Sequence, residues 1–95
     1  MVGNFNVGRI VTTASIAAKV EPERVMYWLI RHRNGDFGQL CDEDIAVNNE
    51  AIQHGGRVLS RYEHDGQPVY VITEPVGPDL GGYTPVTTVL YATEY

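Results

Sequence analysis

Ninety-five residues with seven lysines and arginines against twelve aspartates and glutamates give a net charge of −5, a length suited to one domain, residues 1–95, near the lower end of what a single hydrophobic core stabilises. The acidic balance argues against a direct nucleic-acid binder, whose affinity rests on clustered cations, and suits a basic partner surface instead. No apolar run approaches the roughly 20 residues of a bilayer span and Met1-Val2-Gly3-Asn4 lacks a signal-peptide pattern, so no membrane association is expected and the chain reads as cytoplasmic. The lone Cys41 has no partner for an internal disulfide and no ligand spacing for zinc.

In chain order, loose alternation over Phe5 to Thr12 predicts a short strand or extended arm. Thr12 or Thr13 then caps a brief Ala-rich helix, Ala14 to Lys19, anchored by Ile16. Glu21-Pro22-Glu23 starts a second helix, because proline at the first helical position loses no hydrogen bond and the glutamates favour the positive end of the dipole. Val25, Trp28, Leu29 and His32 follow the i, i+3, i+4, i+7 pattern and form its inner face, which Met26 and Ile30 are expected to widen. Gly35 is placed to end this helix in a left-handed conformation.

A third helix opens on the acidic turn Asp42-Glu43-Asp44 behind Cys41 and runs to Gly55-Gly56. Helical angles put Ile45, Val47, Ala51 and Ile52 on one arc, with Asp44 and Asn48 in its middle. Two inward polar side chains need partners, and the backbone of the Gly35–Gly38 turn and the ring of His32 are the candidates. From Arg57 the period becomes two: Val58, Ser60 and Tyr62 face one way, Asp65-Gly66 makes a tight hairpin, and Pro68 to Thr73 returns. Pro75 to Pro85, with Leu80 and Tyr83, reads as a surface loop, and Val86 to Tyr91 as a last strand. The expected fold is α+β: a small antiparallel sheet of three to four strands with two to three helices on one face.

Several stretches resemble a family of short proteins encoded on bacterial plasmids, prophages and phages: His32-x-x-Gly35-Asp36-Phe37-Gly38, Asp44-x-x-x-Asn48, Gly56-Arg57-Val58-Leu59-Ser60-x-Tyr62, Val71-Ile72-Thr73-Glu74 and Thr87-Thr88-Val89-Leu90. Phe37 stands where the family has Trp, Ala92 where it has Pro, and the Pro75–Pro85 loop is longer. The resemblance implies a mobile-element setting in a bacterial host cell, where small acidic proteins inhibit CRISPR or restriction complexes by protein binding.

Two readings compete for the polar residues. In the first, His32, Gly35, Asp36, Gly38, Asp44 and Asn48 form a structural network that fixes the turn, with Phe37 plugging the core and no cofactor or metal required. In the second, His32, Asp36 and Asp44 centre a metal-dependent hydrolase. With the first reading goes a non-enzymatic module that engages a host protein through Arg31, Arg33, Asp36, Asp42, Glu43, Tyr70, Tyr83 and Tyr91, tyrosine offering large contact area at low entropic cost. A homodimer joined at a sheet edge is a further alternative.

Overall fold

The computed structural model describes residues 5–76 and 84–95; Tyr83 and Leu80 lie outside them. The elements are β1 (Arg9–Thr12), α1 (Ala14–Lys19), α2 (Pro22–Arg33), α3 (Asp42–His54), β2 (Gly56–His64), β3 (Gln67–Val76), β4 (Val86–Tyr91) and a closing 3-10 turn, Ala92–Glu94. One four-stranded sheet has the order β1-β4-β3-β2. The fold is α+β, as expected. β2, β3 and β4 form the expected antiparallel meander, and β1 adds to it parallel to β4, so the sheet is mixed and mostly antiparallel. The helices between β1 and β2 carry the chain across the sheet, so β1 reaches its far side with the direction of β4.

Local chemistry sets each boundary. Thr13 Oγ1 accepts from the Ile16 amide to cap α1, and Ile16 is fully buried. Pro22 opens α2. Its far end is a Schellman turn: Gly35 (φ 86°) donates to the His32 carbonyl and Asp36 to that of Arg31, satisfying carbonyls the helix leaves open. Asp65 and Gly66, both at positive φ, make the β2–β3 hairpin. Among the described residues no helix is long and apolar enough to cross a membrane.

The inner side of the sheet is stratified. At one end Tyr62, Val69, Val71, Val89 and Tyr91 pack with Ile16, Val20, Trp28 and Leu29; Trp28 stacks on Tyr62 with ring centroids 6.1 Å apart and 4° between planes. At the other, Phe5, Phe37, Ala51, Val58 and Val76 form a second apolar cluster. Burial of these side chains, each large aliphatic or aromatic one contributing roughly 1.5–3 kcal/mol, supplies the main drive to fold. Between the clusters lies a polar layer made by His32, Ser60, Thr73 and Thr87, all buried.

Four expected inward positions are corrected. Met26 (57 % exposed) and Ile30 stand outside the core, because the helical arc that meets the sheet is filled by Val25, Trp28, Leu29 and His32. Val47 is 63 % exposed and Asp44 is exposed too. α3 lies beside the outer edge of β2 rather than across the sheet, so its inward arc is narrow, with Asn48 and Ala51 its buried residues.

Candidate functional site

The polar residues singled out by their pattern separate into three places. The ring nitrogens of His32 bond to the sheet and not to the turn. Its Nδ1 lies 2.6 Å from Ser60 Oγ and its Nε2 2.8 Å from Thr73 Oγ1; Thr73 Oγ1 is 2.6 Å from Thr87 Oγ1, which donates to the Val7 carbonyl at 2.6 Å. The terminal carbonyl accepts only, and this orients every proton behind it. Thr87 donates to Val7, so Thr73 donates to Thr87, His32 Nε2–H donates to Thr73, and Ser60 donates to Nδ1. The imidazole is therefore the neutral Nε2–H tautomer. Burial pushes its pKa down to about 4, since little solvent remains to stabilise a cation. Phe5 and Phe37 meet the ring edge-on, with centroids at 5.1 and 6.3 Å.

Asn48 likewise does not bond to the turn. It closes both open backbone groups of one β2 residue: its Nδ2 donates to the Leu59 carbonyl at 2.7 Å, and the Leu59 amide donates to its Oδ1 at 3.0 Å. The side chain thus stands where a neighbouring strand would. Two residues along, the turn does the same for Arg61, whose amide donates to the Phe37 carbonyl at 2.9 Å and whose carbonyl accepts from the Gln39 amide at 2.8 Å. Gly38 is obligatory there: its φ is +73°, and a Cβ would fall 2.1 Å from the Arg61 carbonyl oxygen.

Asp36 works at the turn's surface. It receives both Nε (2.8 Å) and an Nη (3.1 Å) of Arg31 and accepts from the Gly38 amide at 3.2 Å. The hydrogen bond to Arg31 holds the Asp36 carboxyl below its ordinary range and raises the guanidinium. The guanidinium also lies 4.6 Å from the centroid of Tyr62, whose hydroxyl donates to the Asp36 carbonyl at 2.6 Å; burial pushes that phenol up to about 12.

The arrangement has consequences for catalysis. His32 is sealed in the interior while Asp36 and Asp44 are exposed, so the hydrolase triad is not brought together. Among the described residues no three His, Cys, Asp or Glu side chains are grouped to hold a metal ion.

What the fold does present is the opposite side of the sheet, on which no described helix packs. The register aligns Val11, Thr88, Ile72 and Leu59 in one row across all four strands, and Leu90 with Tyr70 in the next. Tyr95 reaches this side, its ring 5.7 Å from Tyr70 and edge-on, with Arg57 bonded to its hydroxyl. This side is mixed: the buried Ile72 and Leu90 and the half-buried Leu59 and Tyr70 are flanked by Arg61, Glu63 and Glu74 on the same face. A hollow lined by Asp44, Val47, Arg57 and Leu59 joins it to the exposed side of acidic α3, where Asp42 and Glu43 also lie. Arg33 is exposed at the end of α2.

Of the tyrosines proposed for binding, Tyr70 sits on this outer face, but Tyr91 faces inward and is buried in the core, since alternation in β4 aligns it with Val69. Sequence reasoning missed Tyr95, which the closing turn carries back over the sheet. It also missed the partners of His32, although Ser60, Thr73 and Thr87 are hydroxyl residues at positions whose neighbours of the same parity are apolar. No protein-family model, curated protein or solved structure matches the chain.

Proposed function

We propose that this chain is a non-enzymatic accessory protein of a phage or plasmid that acts in the host cytoplasm by binding a host protein, a bacterial defence complex of the CRISPR or restriction type. The observation that carries the binding role is the helix-free sheet side, where the half-buried Tyr70 and the exposed Tyr95 and Val11 stand beside the buried Ile72 and Leu90, near the exposed acidic turn Asp42, Glu43 and Asp44. Aromatic groups in an apolar field with a charged border are the composition of protein interfaces. The defence-complex target rests on the resemblance of the His32–Gly38 turn and the Thr87–Leu90 strand to proteins of mobile elements.

The test is capture from bacterial lysate by affinity-tagged protein, paired with a plasmid-establishment and phage-plating assay. The wild type is expected to retain a defence component and to raise establishment in a defence-proficient host. Tyr70→Ala with Tyr95→Ala should lose most of that capture at an unchanged melting temperature. Establishment that is the same with and without the protein, together with capture indifferent to the two tyrosines, defeats the reading.

A further inference from the structure

The two edges of the sheet are treated differently. On β2, Asn48 and the Phe37–Gln39 segment satisfy the outward backbone groups of Leu59 and Arg61. β1 has no such cover among the described residues. Arg9 and Thr13 donate to the carbonyls of Pro85 and Val89, and in a parallel ladder alternate residues face the neighbour. Ile10 and Thr12 therefore point their N–H and C=O groups away from the sheet. Proteins usually blunt such an edge.

This edge is apolar on both sides of the sheet. Ile10 is 41 % and Val11 38 % exposed, and alternation sends them to opposite faces. On the helix side Ile10 and Thr12 line a groove of about 360 Å³ with Pro22, Met26 and Leu29. The exposure of Met26, unexplained by the core, has its place here.

The edge is also complementary to itself. When two copies of β1 run antiparallel about a two-fold axis through Val11, Ile10 of each falls opposite Thr12 of the other. These are the residues whose backbone groups point outward, so each donates to its counterpart and accepts from it. An axis through Ile10 would instead set Thr12 against Gly8, whose amide already donates to Asn6 Oδ1 and whose φ is +62°. Charge favours the axis at Val11 as well. There Arg9 falls opposite Thr13, which is still extended and whose hydroxyl donates to Glu94 at 3.0 Å. Arg9 and Glu94 are both exposed, and no described carboxylate forms an ion pair with Arg9. Each end of the pairing thus brings a cation to a carboxylate. We infer that β1 is the site at which two copies of this chain join, as an antiparallel pair centred on Val11, into one sheet continuous through both. Val11 meets its symmetry mate on the outer face, and on the helix side the two grooves come side by side over Ile10 and Met26. The joint is separate from the tyrosines proposed for the host target and does not depend on that target's identity.

The test uses the full chain. Sedimentation at rising concentration is expected to show a dimer. Arg9→Glu and Glu94→Arg each set like charges against one another at both ends of the joint and should weaken self-association by about tenfold or more. An equal mixture of the two variants should recover the dimer, because every facing pair is then opposite in sign. Glu94 also accepts from the Tyr91 amide, so a second measurement spares it. In a Cys41→Ser background, Val11→Cys should cross-link to its symmetry mate under mild oxidation, since opposed residues at a non-hydrogen-bonded site have Cα atoms about 4.5 Å apart. Arg9→Cys, whose counterpart is Thr13, should not. Tyr70→Ala with Tyr95→Ala should leave the dimer unchanged. A monomer at every concentration up to millimolar, a mixture no more associated than its components, or cross-linking as fast from Arg9→Cys as from Val11→Cys overturns the inference. A dimer lost with the two tyrosines overturns it too, since the joint would then lie on the helix-free face.

Discussion

At the scale of single residues, His32 concentrates the energetics. Its ordinary pKa near 6.5 describes the unfolded chain, and burial lowers it to about 4 in the fold. Between those values the unfolded chain binds a proton that the folded chain does not, so stability falls as the pH drops through this window. The loss approaches about 3 kcal/mol once the pH lies below both values. Urea titrations at neutral pH and near the lower limit measure it, and a His32→Gln variant is expected to lose that component of the pH dependence. Thr73→Val leaves the Nε2–H without an acceptor and the Thr87 hydroxyl without a donor; about 1–3 kcal/mol of destabilisation is expected at neutral pH, read from the urea midpoint. Arg31 and Asp36 are the contrasting case. Their side chains remain 30 and 55 % exposed, so a double-mutant cycle with Arg31→Ala and Asp36→Ala should return a coupling of only about 0.2–1 kcal/mol, reduced by salt.

At the scale of elements, the junction between the α2–α3 turn and β2 decides how the helices sit. Asn48→Leu removes both partners of the Leu59 backbone and should cost about 1–3 kcal/mol, whereas the exposed Glu50→Gln should leave the melting temperature nearly unchanged. Gly38→Ala forces a side chain into the Arg61 carbonyl at a positive φ and is expected to lower stability by more than about 1 kcal/mol, with the amide signals of Phe37 to Gln39 displaced. Much of this architecture was legible in the residues. Pro22, Gly35, Asp65-Gly66 and the change of period at Arg57 mark boundaries through backbone chemistry that acts over a few positions. Asn48 was legible as an inward polar group, because helical angle alone puts it beside Ala51 and Ile52. Its partner was not, since whether α3 lies over the sheet or beside it depends on contacts remote in the chain. The same geometry turned Asp44 and Val47 outward. His32 was assigned to the core correctly, and Phe37 of the turn does pack on its ring, but its hydrogen-bond partners were not legible: they lie 28 and 41 positions away, and only strand register brings Thr73 and Thr87 level with it.

At the scale of the whole molecule, two apolar clusters are held apart by a polar layer spanning α2, β2, β3 and β4. A slip of one residue in β3 would turn Thr73 to the other face and take from the imidazole Nε2–H its acceptor, so the layer selects the register as well as stabilising it. The helix-free side of the sheet carries Tyr70 and Tyr95, with the acidic first turn of α3 exposed near its β2 border.

The plug that Asn48 makes on β2 has a consequence for how many copies can join. A chain with one pairing edge can terminate a growing sheet but cannot extend it, because each addition uses up the edge that received it. If β2 were unplugged as well, every copy would offer two edges, and head-to-tail pairing would have no geometric reason to stop. Asn48 closes β2 together with the Phe37–Gln39 segment, which holds Arg61 in the same way. Asn48 variants that remain folded should betray its removal by light scattering that climbs with concentration and continues past the dimer.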